Sequence, residues 1–136
     1  MPAHFDQRTF KLTRCNCQPR LTTRPKLALN ELIIGDDVLI GHMAMVHGCT
    51  IEDRGFVGLG AIAMNKAVIA SDSMLAAGAM LTEGKVMGPR ELWGGRPARK
   101  MRDLDDAAIA GMRMGVAHYA ENARHHAAAV DEALTR

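Results

Sequence analysis

The sequence predicts a mainly β fold, a parallel β-helix built from six-residue units, followed by one C-terminal α-helix. Three observations lead to this prediction. Aliphatic residues recur every six positions through the middle of the chain, small residues follow them, and the last part of the chain changes to a helical period. A chain of 136 residues with 48% hydrophobic residues can bury one core, which excludes disorder throughout.

The six-residue period begins with Ile34, Ile40 and Val46. After one five-residue step it continues with aliphatic residues at positions 51, 57, 63, 69, 75, 81 and 87. A period of six is neither helical nor a simple strand alternation, and it is typical of hexapeptide β-helices. Each hexad would form a short strand and a turn, and three hexads would complete one triangular coil. Ile40, Val57 and Leu75 are therefore predicted to stack in one inner column.

The small residues that follow the aliphatic positions suit tight corners, where glycine adopts backbone angles that other residues avoid. A helical bundle is a poor alternative, because each glycine inside a helix costs about 1 kcal/mol. The repeat contains several such glycines, among them Gly35, Gly41, Gly48, Gly55, Gly58 and Gly60.

The chain divides into three predicted segments. Residues 1–32 show no period, and we interpret them as an atypical, disordered or loop segment with a short strand near residues 27–29. Residues 33–102 contain the β-helix and the chain that leaves it. Residues 103–136 contain the helix, which Asp103 or Asp105 can cap. Its apolar stripe should pack on a β-helix face of the same or a neighbouring subunit, and it comprises Ile109, Met112, Val116, Tyr119 and Ala123.

Charge and cysteine content limit the partners and the compartment. Residues 1–26 carry six bases and one acid, a net charge of +5, whereas the rest carries 11 bases and 14 acids. A nucleic-acid arm or a transit peptide would be basic in this way, but the bases show no helical face, so we predict no nucleic-acid partner. No apolar run approaches the roughly 20 residues that span a membrane. Three cysteines, of which Cys49 is expected to be buried, favour a reducing compartment, and we predict the cytoplasm.

Two of the six histidines lie inside the repeat. His42 and His47 are expected to point outward from adjacent sides of a rigid coil, so one chain would not chelate a single ion with both. A symmetric oligomer could bring His42 of one subunit to His47 of the next. Neutral imidazole is a common zinc ligand, and structural histidines remain the alternative. His4, His118, His125 and His126 carry no comparable signal.

The segment from residue 34 to residue 51, IGDDVLIGHMAMVHGCTI, closely resembles the γ-class carbonic anhydrases and their relatives among hexapeptide-repeat proteins. The resemblance continues through VGLGAI (57–62), AGAMLTEGK (77–85), GRPAR (95–99) and AHYAENA (117–123). It covers about 90 of the 136 residues. The hexads alone are shared with many acyltransferases, whereas the G-H-x-A-x-x-H-G-C signature is specific.

The resemblance implies a left-handed β-helix that assembles as a homotrimer, with a zinc, iron or cobalt ion at each subunit interface. His42 and His47 would be metal ligands from different subunits, and Tyr119 would reach the site from the C-terminal helix as a catalytic residue. The implied reaction is the reversible hydration of carbon dioxide to bicarbonate by metal-bound hydroxide.

The chain departs from the family pattern upstream of residue 33. The family's third metal histidine would fall near Pro25, and no histidine lies between residues 5 and 41, which leaves His4 as the upstream candidate. The family's Arg-Gly-Asp and Asn-x-Gln-Asp elements are absent as well. Truncation, a shifted reading frame or divergence would each produce this pattern, and a site with two ligands would be impaired. The alternatives are a non-catalytic trimeric scaffold and a hexapeptide acyltransferase that uses acyl-CoA and a histidine base.

Overall fold

The structure is a computed structural model, and it describes residues 10–11 and 30–135. The strand expected near residues 27–29, and also His4, Cys15 and Cys17, lie outside the described residues. Within them the predicted fold class is confirmed, because short parallel strands form a left-handed β-solenoid that a C-terminal helix follows.

The strands are two to five residues long and one helix follows them. They are β1 (Phe10–Lys11), β2 (Ile33–Ile34), β3 (Leu39–Ile40), β4 (Met45–Val46), β5 (Thr50–Ile51), β6 (Phe56–Val57), β7 (Ile62–Ala63), β8 (Val68–Ile69), β9 (Met74–Leu75), β10 (Met80–Leu81), β11 (Val86–Met87), β12 (Glu91–Gly94) and β13 (Arg99–Asp103), and the helix is α1 (Asp106–Leu134).

The strands stack into three sheets, which form the faces of a triangular solenoid. Face A contains β1, β2, β5, β8 and β11, face B contains β3, β6, β9, β12 and β13, and face C contains β4, β7 and β10. The hexad strands pair in parallel, whereas β1 pairs antiparallel with β2 and β13 antiparallel with β12. Ile40 pairs with Val57, and Val57 pairs with Leu75, which confirms the predicted inner column.

The second residue of each hexad strand points into the solenoid. Val57, Leu75 and Leu81 are fully buried there, whereas Ile40 in the first described coil is 39% exposed. Aliphatic side chains stacked at coil spacing exclude water from the interior, and burying each one contributes about 1.5–3 kcal/mol. The described solenoid is therefore tightly closed in its middle coils and open at the end where its first coil lies.

The turns form three corners, each with its own residues. Corner 1, between faces A and B, lies at residues 36–37, 53–54, 71–72 and 89–90. Corner 2, between faces B and C, lies at 42–43, 59–60 and 77–78. Corner 3, between faces C and A, lies at 47–48, 65–66 and 83–84.

Corner 1 carries a ladder of alternating charges, one residue in each coil, formed by Asp37, Arg54, Asp72 and Arg90. All four have φ between 53° and 59°, a left-handed conformation that costs energy for residues other than glycine. The Arg54 guanidinium donates to both carboxylate oxygens of Asp72, at 2.9 and 3.0 Å. These hydrogen bonds are the main reason that the pKa of Asp72 lies below its ordinary value. The ladder thus offsets part of the backbone strain.

Helix α1 is anchored to face B at its N-terminal half. Asp105 caps it, since its carboxylate accepts a hydrogen bond from the Ala108 amide at 2.8 Å, as the sequence predicted. Ile109 is buried, Arg113 donates to Asp72 at 3.1 Å, and Arg90 donates to Asp106 at 2.6 Å. The charge ladder therefore also holds the helix.

We expect Asp72→Asn to lower the free energy of unfolding by roughly 1–3 kcal/mol, because two arginines lose their charged acceptor. The folded-state pKa of Asp72 is depressed. Its stabilisation is therefore present above the ordinary aspartate pKa of about 3.9, and it is lost as the pH falls toward the folded-state value. Urea titrations at neutral and acidic pH check both statements.

Asp37→Asn is the matched control, because Asp37 occupies the same corner in the first described coil and is exposed. A neutral-pH difference between Asp72→Asn and the wild type below about 0.5 kcal/mol, the usual range of surface substitutions, would contradict the prediction.

Candidate metal centre

His42 lies at corner 2, at the start of the turn that leads into β4, and its side chain is exposed. The backbone on both sides is held by the next coil. The Gly41 amide donates to the Val57 carbonyl at 2.8 Å, and the His42 carbonyl accepts from the Gly60 amide at 2.9 Å. The solenoid thus presents this imidazole from a rigid corner.

His47 lies at corner 3, directly after β4, and it is also exposed. Its ring Nδ1 is 2.6 Å from the side-chain oxygen of Asn65. An amide oxygen only accepts hydrogen bonds, so this contact calls for a proton on Nδ1, and in a neutral imidazole Nε2 would then hold the lone pair. Acceptors that bind the second ring nitrogen in this way commonly orient metal-binding histidines.

The sequence analysis did not identify Asn65. The sequence does hold one signal for it. Asn65 lies 18 residues after His47, which is the spacing of equivalent positions in consecutive coils. Both residues directly precede the left-handed residue of corner 3, which is Gly48 in one coil and Lys66 in the next. Stacking therefore places the Asn65 side chain beside the imidazole of the preceding coil. An asparagine in a turn is ordinarily explained by its own backbone conformation, which hides this second role.

One chain does not bring the two histidines together. They occupy opposite ends of β4, at corners 2 and 3. In the described part of the chain, no group of three or more His, Cys, Asp or Glu side chains could hold a metal ion. The two candidate imidazoles of one copy are thus separate, and His47 is the one whose ring contacts a neighbouring side chain, Asn65.

Tyr119 and His42 line the same cavity. A cavity of about 730 Å³ between α1 and the solenoid is lined by both residues and by apolar groups that include Ile40, Leu59 and Val116. Tyr119 is 54% exposed, so it lies at the edge of the helix interface and not in a packed core. His42 therefore borders an apolar space that a small neutral molecule could enter.

A second cavity of about 460 Å³ lies beneath the same helix. It shares Leu39, Phe56 and Val116 with the first cavity, and Asp37 and Arg113 are among its charged lining residues. Helix α1 therefore covers face B loosely on both sides of Val116.

The outer surface of face C, which lies between the two histidines, is apolar. Its outward side chains are Met45, Ile62 and Met80, and Met45 is 50% exposed. The neighbouring corner residues Met43 and Leu59 are 95% and 56% exposed. A contiguous exposed apolar surface of this kind is typical of an interaction site.

Three further cysteine and histidine side chains, Cys49, His118 and His125, are either buried or in contact with neighbours on α1. Cys49 is 1% exposed, as expected, and burial raises the pKa of its thiol. His118 lies 3.1 Å from the Asn122 amide nitrogen, and His125 lies 3.0 Å from Glu121, all on the exposed surface of α1. Among the described residues, no helix is long and apolar enough to cross a membrane.

Comparison with known proteins finds relatives that are similar to this chain in sequence and in fold. Gamma carbonic anhydrase 1, mitochondrial, from Arabidopsis thaliana is 44% identical over 100 residues, which are 74% of this chain and 36% of that protein. Protein YrdA from Escherichia coli K12 is 38% identical over 90 residues, which are 66% of this chain and 49% of that protein. The chain thus spans between a third and a half of the length of these relatives. No protein-family model matches it.

Among solved structures, a hexapeptide transferase family protein from Anaplasma phagocytophilum superposes with a TM-score of 0.68 and 40% identity, covering 69% of this chain and 57% of that one. The three-faced solenoid of hexads defines this chain as a hexapeptide-repeat protein. Within that class, the chain belongs to the γ-carbonic-anhydrase-like family.

The corner beside His47 generates a prediction at Gly48, which has φ +58°. A Cβ atom there would lie 2.5 Å from Asn30 Cβ and 2.6 Å from Asn65 Oδ1. Gly48→Ala should therefore lower the free energy of unfolding by about 1–3 kcal/mol beyond its backbone strain, through overpacking. It should also displace the Asn65 side chain from His47.

Gly60→Ala separates the two effects, because Gly60 has φ +62° and nothing within 4 Å of an added Cβ. It shares the backbone strain without the contacts. Urea titrations of the two variants should show Gly48→Ala as the less stable one. Equal stabilities would show that the contacts with Asn30 and Asn65 are unimportant.

Proposed function

We propose that the protein is a γ-carbonic-anhydrase-like metalloprotein that catalyses the reversible hydration of carbon dioxide to bicarbonate. Its metal site would form between copies in a homotrimer, from His42 of one subunit and His47 of the next. The observation that carries this proposal is the apolar face C with an exposed imidazole at each end, one of them held by Asn65. We further propose a cytoplasmic location, since a reducing compartment suits the free thiol of Cys49, the cysteine that lies in the described part of the chain.

The donor chemistry fits a zinc-type ion, and iron and cobalt accept the same imidazole ligands. Such an ion would supply Lewis-acid activation of water when bound. The chain's own residues would then perform the remaining tasks. His47 presents Nε2 from a rigid corner, and the apolar walls of the cavity beside His42 favour an uncharged substrate over bulk water.

Tyr119 would act at the border of this cavity. Its hydroxyl is a donor and an acceptor, and His42 lines the same space. From this position it can orient a polar product such as bicarbonate next to the imidazole. We therefore propose Tyr119 as the catalytic residue that α1 contributes.

A non-catalytic trimeric scaffold is the second candidate, and one observation favours it. The described residues of one copy offer two imidazoles that a partner could combine, and no third donor lies with them. Catalytic zinc ordinarily has three protein ligands. The scaffold would keep face C as its trimer interface and lack the reaction.

Metal binding is the decisive test. We expect cobalt titration of the purified wild type to give the visible absorption of a protein-bound ion, and His42→Ala or His47→Ala to abolish it. The carbon dioxide hydration rate should fall in parallel. His126→Ala is the control, because His126 is an exposed histidine near the C-terminal end of α1.

Unchanged cobalt binding in both site variants would exclude these histidines as ligands. A wild type that forms trimers, binds no metal and shows no hydration would instead support the scaffold. Acyl-CoA binding without a metal requirement would identify an acyltransferase.

The trimer interface makes a separate prediction. Ile62 is an outward residue of face C, so Ile62→Glu would bury a charge between subunits and should dissociate the trimer without unfolding the chain. Light scattering after size exclusion measures the mass of the particle. Met114→Glu is the control, since Met114 is 69% exposed on α1. A variant Ile62→Glu that stays trimeric would show that face C is not the interface.

A further inference from the structure

We infer that Asn65 is a positioning residue, which fixes the tautomer of the His47 imidazole and directs its Nε2 outward from corner 3. The inference deepens the proposed function and rests on it, because the free Nε2 is the atom that a metal would need. The observation behind it is the 2.6 Å contact between His47 Nδ1 and Asn65 Oδ1.

The backbone holds both partners of this contact. The His47 amide donates to the Ala63 carbonyl at 3.0 Å, and the Asn65 carbonyl accepts from the Gly84 amide at 3.0 Å. Between them, the Lys66 amide donates to the Gly48 carbonyl at 2.7 Å. The two side chains therefore extend from consecutive coils whose spacing is set by the solenoid, and their separation does not depend on a flexible loop.

The space around the contact limits the orientation of the Asn65 side chain. Asn65 is half-buried, and its Oδ1 also lies 2.6 Å from the position that a Cβ of Gly48 would occupy. Only glycine at position 48 leaves this room. Gly48 and Asn65 thus act together, since the first provides the space and the second provides the acceptor.

A neutral imidazole has two tautomers, and only the one protonated at Nδ1 offers Nε2 as a ligand. An acceptor at Nδ1 therefore selects the form that binds a metal through Nε2. Loss of such a hydrogen-bond partner ordinarily weakens metal binding about 10- to 100-fold. Asn65 would raise the metal affinity of His47 without touching the ion.

The test uses the metal-free full chain and its Asn65→Leu and Asn65→Asp variants. Imidazole nitrogen chemical shifts are measured by NMR well above the ordinary histidine pKa of about 6.5. We expect His47 to be protonated mainly at Nδ1 in the wild type and in Asn65→Asp, whose carboxylate keeps the acceptor. In Asn65→Leu the population should shift toward the Nε2-protonated form. Glu83→Leu is the matched control, since Glu83 occupies the same corner position one coil later.

A second measurement uses cobalt alone as the probe. Its dissociation constant should rise about 10- to 100-fold in Asn65→Leu and be restored in Asn65→Asp. A merely structural role would change the melting temperature and leave the tautomer unchanged. A wild-type His47 protonated mainly at Nε2, or a tautomer unaffected by Asn65→Leu, would overturn the inference.

The two proposals can fail separately. If the wild type binds no cobalt, the proposed metal function fails, and the tautomer measurement on the metal-free chain still decides the role of Asn65.

Discussion

Every feature of the site depends on the register between consecutive coils. Ile34 pairs with Ile51, and Ile51 pairs in turn with Ile69, so each aliphatic residue lies beside its equivalent in the next coil. Backbone hydrogen bonds at coil spacing thus align equivalent residues of successive coils into columns. Because main-chain geometry fixes the columns, a side chain at a corner contacts the equivalent residue of the next coil, although the two lie 18 positions apart in sequence, as His47 and Asn65 do.

This constraint explains why the same architecture serves two different chemical purposes. At corner 1 the aligned residues alternate in charge, and Arg54 and Asp72 form a bidentate pair that also engages α1. At corner 3 the aligned residues are His47 and Asn65, and their contact selects a tautomer. The first column stabilises the helix, and the second would orient His47 as a metal ligand under the proposed function.

The sequence predicted the parts of the structure that follow from periodicity. The inner column through Ile40 and Val57 was predicted because each coil repeats the spacing, and Asp105 was a predicted cap because aspartate there satisfies a free amide. Asn65 could not be predicted in the same way, since its role depends on the direction of a polar side chain at a corner. The cavity that joins His42 and Tyr119 depends on how loosely α1 packs on face B, which the helical period does not reveal.

The position of the two histidines makes assembly a condition of any metal site that uses both of them. Strand β4 separates them within one chain and exposes both, so an ion bound to both must lie between copies. The side chains between them on face C, including Met45, are apolar and gain about 25 cal/mol for each Å² that a neighbouring copy covers. Association would therefore be driven by the hydrophobic surface, and the imidazoles would be brought together as a consequence. In such a design, the stability of the interface determines how well the metal is held, and a missing ligand weakens the site without preventing assembly.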